Sequence, residues 1–275
     1  MYNLLDFDAL QQEFVESRLE IMTFDGKNEE EKLAQMYEVS LELQAEFANT
    51  PLLALGDSTP QEYFNAMDSE ELVEQYLAYY NQTQSVPEVL YNVLTEKPLE
   101  ETLCEIVQDE DRPMDLRMLT MGLLDDMQST ALAKYYAVIQ SRRAEKDDFA
   151  DKAMDSLRNM DEAVVEPILL SVFEESGNEG RDAMLEILAK PFCSTQVFDH
   201  ALRSFIKAPK HKEIYAYYLG KMENEEALPF LIEAVESEEL DYIDYLETRA
   251  TIERLGGTCK EIDYTEDPLY KKIHA

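Results

Sequence analysis

Apolar residues recur along this chain at three- and four-residue intervals, the spacing that lines one face of a helix. From Asp8 to Met22 they fall at Leu10, Phe14, Val15, Leu19 and Met22. Asp25-Gly26-Lys27-Asn28 breaks that segment. A longer helix is predicted from Glu29 to Ala48, with Leu33, Met36, Tyr37, Leu41 and Phe47 as its apolar stripe. The stretch Pro51–Pro60 reads as a loop that ends in a helix start. Thr59 is the expected N-cap, Pro60 stands at the first helical position, and Glu62 completes a capping box.

From Ser85 onward the pattern repeats. Six predicted helices end in a leucine followed by a short polar or Gly/Pro break: Leu94, Leu124, Leu157, Leu188, Leu219 and Leu255. The intervals are 30, 33, 31, 31 and 36 residues. After each of the first five breaks a further helix begins, with its apolar positions opening at Leu103, Leu132, Val165, Val197 and Leu228. Each period is therefore a two-helix hairpin, too small to bury its apolar stripe except against a neighbour. Pro167 and Pro229 both stand ten residues after their leucine, inside the first helix of a hairpin, where proline is expected to kink it. Residues three and four before the leucine are mostly apolar, as in Ala153 and Met154, Met184 and Leu185, and Tyr215 and Ala216. Good helix formers abound, glycine (8) and proline (10) are few, and the whole reads as all-α.

Charge then narrows the range of partners. The 275 residues carry 59 acidic and 24 basic side chains, a formal net charge of −35. Residues 1–111 hold 26 of the acids and four bases, and residues 112–275 hold the rest. Such a surface repels phosphate backbones and anionic membranes, so no direct nucleic-acid or membrane binding is expected, and a basic protein or peptide is the natural complement. A heavily charged face also keeps a long repeat surface soluble without any ligand. Cys104, Cys193 and Cys259 lack a C-x-x-C spacing and read as free thiols of a reducing compartment. The opening Met1–Asp6 carries no signal-peptide pattern, and no apolar run reaches the ~18 residues a membrane span needs. A cytoplasmic location is expected.

With its two-helix period, Pro167 and Pro229, and the stretches Glu226–Val235 and Arg249–Gly257, the chain resembles the HEAT-like repeat family, in the short form related to the bilin-lyase repeats. Asp115-Leu116-Arg117 matches the family's Asp-x-Arg opening of the second helix, a pattern the other repeats lack. The resemblance covers about residues 85–257 and implies a right-handed α-α solenoid of stacked hairpins. Residues 1–84 would be an N-terminal helical region acting as a cap or extra repeats, and 258–275 a C-terminal tail. The same resemblance implies that the second helices line a concave surface.

On that surface three columns face away from the repeat leucines. One reads Asp115, Asp148, Glu179, Lys210; the next Met118, Asp151, Asp182, Glu213; the third Gly122, Asp155, Glu186, Tyr217, Glu253. The expected binding face is therefore Asp148, Asp151, Asp155, Glu179, Asp182, Glu186, Glu213, Tyr217 and Glu253, a negative groove for Lys/Arg-rich segments. Acids near a helix start also favour the helix dipole, which accounts for Asp148 and Glu179 without a ligand, and less well for Asp155, Glu186 and Glu253. Arg117, Arg181 and Lys212 lie seven residues before their leucine, close to the core direction, and are expected to bridge neighbouring repeats. Lys207, Lys210, His211 and Lys212 form a basic surface knot. The tyrosine clusters at 76, 79 and 80, at 135 and 136, and at 215 and 218 read as core, with Tyr217 pointing along the groove.

His200, His211 and His274 show no zinc spacing, Asp109-Glu110-Asp111 lacks a calcium loop's glycine, and nucleophile-elbow and phosphate-loop motifs are absent. No catalytic residue, metal or cofactor is predicted. The sequence thus points to a non-enzymatic interaction scaffold. Alternatives are a chromophore- or cofactor-handling protein of bilin-lyase type, or an acidic mimic of nucleic acid.

Overall fold

The computed structural model describes residues 4–25, 28–237 and 240–273. The regular elements of these residues are all helices, without a named β-strand among them. The chain divides into two compact units, Met1–Ser129 and Thr130–Ala275.

The first unit holds α1 (Phe7–Leu19), α2 (Glu29–Phe47), α3 (Pro60–Asn65), α4 (Ser69–Thr83), α5 (Glu88–Glu96), α6 (Glu100–Gln108) and α7 (Met114–Asp126). Local chemistry sets several of the starts. Asn28 caps α2 by accepting from the Glu31 N–H at 2.7 Å. The Thr59–Glu62 capping box opens α3 with Pro60 at its first position, as the sequence predicts. An equivalent box of Asp68 and Glu71 opens α4, and left-handed Gln84 (φ 59°) ends it. Gly26 and Lys27 of the predicted break lie outside the described residues. The core gathers Phe64, Leu72, Tyr76, Leu90, Leu94, Leu103, Leu116 and Met121, all fully buried. A 2.7 Å hydrogen bond between the Tyr76 and Thr120 hydroxyls ties α4 to α7.

The second unit runs through α8 (Ala133–Arg142), α9 (Asp148–Asn159), α10 (Glu162–Phe173), α11 (Asn178–Leu188), α12 (Thr195–Lys207), α13 (Lys212–Lys221), α14 (Leu228–Ser237), α15 (Tyr242–Arg254) and α16 (Pro268–Ile273). Consecutive helices pack as hairpins: α8 on α9, α10 on α11, α12 on α13 and α14 on α15. Alternate helices also touch, α8 with α10, α9 with α11 and α13 with α15. The hairpin α6–α7 and the pair α5–α7 show both relations within the first unit. All six repeat leucines are buried, the last of them capping α15. Two close approaches lock the second unit. Gly180 of α11 lies so near α8 that an added Cβ would fall 2.2 Å from the Gln140 carbonyl oxygen. The Thr251 hydroxyl of α15 donates to the Ala216 carbonyl of α13 at 2.9 Å. The tail returns across α15, where Tyr264 donates to the Leu240 carbonyl at 2.7 Å and its ring lies 5.0 Å from that of Tyr245. His274 lies outside the described residues.

Four expectations need correction. The helix from Glu29 forms, but of its predicted stripe only Phe47 is buried; Leu33, Met36, Tyr37 and Leu41 are exposed. Pro167 does sit inside α10, whereas Pro229 is the second residue of α14, where the missing N–H breaks no intrahelical bond. Arg117, Arg181 and Lys212 make their described hydrogen bonds within a hairpin, where bridges between neighbouring repeats were expected. Each instead closes its own hairpin by donating to the last carbonyls of the preceding helix: Arg117 to Val107 (2.8 Å), Arg181 to Phe173 (3.0 Å) and Glu174 (2.7 Å), Lys212 to Phe205 (2.7 Å). Those carbonyls are the negative end of a helix, so a cation there satisfies orphan acceptors and the dipole together. Lys212 is consequently buried and not part of a surface knot.

Candidate functional site

The acidic positions of α9 and α11 are set by simple helical spacing. Asp151 and Asp155 are four apart, as are Asp182 and Glu186, with Glu179 three residues before Asp182. Asp147 caps α9 by accepting from the Ala150 N–H at 3.0 Å, and the close approach at Gly180 seats α11. As a result Asp151, Asp155, Glu179, Asp182 and Glu186 all line one open concavity of about 360 Å³. Arg143, Met154, Arg158 and Ala183 complete its walls. The other four predicted residues lie elsewhere. Asp148 is exposed in the first turn of α9. Glu213 turns to α15, where its N–H donates to Asp244 at 2.9 Å. Tyr217 is exposed near the Lys221 ammonium, and Glu253 accepts from Arg249 on its own helix at 2.9 Å.

Charge in the concavity is less one-sided than the sequence columns imply. Arg158 bonds Asp155 and reaches Glu186 at 2.9 Å, and the bond to Asp155 raises its pKa further. Arg143 pairs with Asp151. Asp182 accepts from His200 Nε2 at 2.7 Å and from the Tyr215 hydroxyl at 2.8 Å, which ties α11 to α12 and α13. Burial, and then the bond to Asp182, holds the Tyr215 hydroxyl well above its ordinary value, so it stays a donor. Five carboxylates against two guanidiniums leave the lining net negative. The Arg158 pairs are about half-exposed, and exposed pairs contribute only about 0–1 kcal/mol each. Incoming cations can therefore exchange with them at small cost.

Arg143, Arg158, His200 and Tyr215 are the groups that reading the columns misses. Arg158 was within reach, since it stands three residues from Asp155 on one helix. Arg143 comes from the connection after α8, and His200 from a different hairpin, so neither leaves a local signal. A neighbouring recess of about 530 Å³ shares Glu179 and Asp182 and is lined also by Lys207, Lys210 and His211. Among the described residues no group of three or more His, Cys, Asp or Glu side chains is placed to hold a metal ion. Burial pushes the Cys104 thiol up to about 11, so it keeps its proton at neutral pH. No helix among the described residues is long and apolar enough to cross a membrane. Comparison with protein-family models, with curated proteins and with solved structures gave no match.

Proposed function

We propose that this chain is a non-enzymatic interaction module of the HEAT-like type, a right-handed α-α solenoid that holds a basic peptide or protein segment in the concavity of α9 and α11. One observation carries the reading. Two successive hairpins bring five carboxylates, each predicted from repeat register alone, to the walls of a single open recess. Hairpin packing, contacts between alternate helices and the recurrent closing cation at 117, 181 and 212 support the repeat architecture. The recess is shallow and polar, and a lysine-rich extended segment matches it better than a small apolar ligand does.

The test is titration of the full chain with a fluorescent lysine-rich peptide at several salt concentrations. Wild type is compared with a variant carrying Asp151→Asn, Asp155→Asn, Glu179→Gln and Glu186→Gln. Asp182 is left intact because it joins three helices. The expected result is at least a tenfold weaker affinity and a flatter salt dependence in the variant. Equal affinity and equal salt slope in both proteins would overturn the reading.

A further inference from the structure

Helix α2 places most of its apolar side chains in solvent. Of its 19 residues only Leu43 and Phe47, in the last two turns, are buried. Leu33, Tyr37 and Leu41 are 63%, 66% and 47% exposed. Four-residue spacing sets these three, with exposed Ala45, in one continuous ridge of the kind that packs into the groove of another helix. Met36, also exposed, stands in the row beside it. On the opposite side runs a parallel row of Glu30, Glu38, Glu42 and Glu46. Lys32 is the one cation of the helix, and it lies 3.4 Å from Glu29. Past Leu41 the ridge leads to a groove of about 440 Å³ between α2 and α5, whose walls include Gln44, Ala45, Ala48, Asn92 and Glu96.

An apolar ridge with a carboxylate border is the complement of an amphipathic helix that carries Lys or Arg beside its own apolar stripe. We infer that α2 is a docking site for a cationic amphipathic helix of a partner protein. Tyr37 at its centre supplies the area and polar tip favoured at interfaces. Charge decides against a second copy of this chain. Apposed α2 helices would each bring six carboxylates and one lysine to the contact, on molecules that each carry −35. The surface uses no residue of the α9–α11 concavity, so the two sites are independent.

The probe is an 18-residue helical peptide with a leucine stripe flanked by lysines, titrated calorimetrically into the full chain at 150 mM salt. Its twin carries glutamate at every lysine. The lysine peptide is expected to bind wild type at least tenfold more tightly than the twin. Leu33→Ser, Tyr37→Ser and Leu41→Ser together should weaken binding at least tenfold. Glu38→Gln, Glu42→Gln and Glu46→Gln should weaken it and remove most of its salt dependence, and this second variant leaves the apolar ridge untouched. The concavity variant described above should retain α2 binding. No preference for the lysine peptide, undiminished binding in both α2 variants, or loss confined to the concavity variant would overturn the assignment. So would a concentration-dependent dimer in sedimentation that the serine substitutions abolish, since the occupant would then be a second copy.

Discussion

Asp244 shows how much a single side chain depends on what surrounds it. By sequence it is one acid in the first turn of α15, a position that ordinarily favours the ionised form. In the fold it is 4% exposed, accepts from the Glu213 N–H, and faces the Glu213 carboxyl beside Lys212 and His211. Burial, and then the side-chain bond with Glu213, pushes it up from 3.8 to about 6. Folding therefore takes up a proton between these two values. The stability this group contributes is complete below about pH 4 and is lost as pH rises through about 6. Asp244→Asn keeps the acceptor for Glu213 and removes the charge. Urea unfolding should show wild type and variant alike near pH 4, with the variant more stable by roughly 1–3 kcal/mol at pH 7. A difference that does not change with pH would assign the proton uptake to another group. Lys212 follows the same rule with opposite charge: a lysine whose sequence position fits both the core direction and a surface knot is, in the fold, a buried cap of the α12 carbonyls.

At the scale of elements, helix bounds follow from caps and periodicity, while contact faces follow from neighbours. Helix α2 begins and ends within a residue of its prediction, yet its predicted stripe is mostly solvent-facing, because α1 packs against it without covering the first three turns. The contact of α11 with α8 rests on the absence of a side chain at Gly180. Gly180→Ala would force a methyl to within 2.2 Å of a backbone oxygen held in α8, which no rotamer change relieves. The expected cost is about 1–3 kcal/mol of unfolding free energy, read from a lower urea midpoint. An unchanged midpoint would mean that these helices are not in such close contact.

Across the whole molecule, the formal charge of −35 makes self-repulsion a general opponent of folding. It is shared unequally. Residues 1–129 hold 29 acids and six bases, a balance of −23, whereas residues 130–275 hold 30 acids and 18 bases, a balance of −12. Raising salt from 10 to 300 mM screens long-range repulsion more than it weakens short ion pairs. Thermal midpoints should therefore rise with salt. Hydrogen exchange on the intact chain should show a larger gain of protection in α1–α7 than in α8–α15. Equal gains would show that local pairs, and not the net balance, govern the response.

Features that depend on neighbours within a turn or two of helix can be read directly from the order of residues. The all-helical class, the capping box at Thr59, the buried leucine of each hairpin and the joint placement of Asp151 with Asp155 and of Asp182 with Glu186 are all of this kind. Periodicity and cap chemistry act along one chain segment, so they can be read there. Which acids share a recess, and which are already engaged, depends on how the helices pack. Arg143, His200 and Tyr215 reach Asp151 or Asp182 from separate helices and connections, Glu213 turns to Asp244 of another hairpin, and the ridge of α2 is exposed because no described residue of its own unit covers it. Side chains distant in sequence meet only where packing brings them, and electrostatic and apolar contacts of that range leave no periodic trace along the chain.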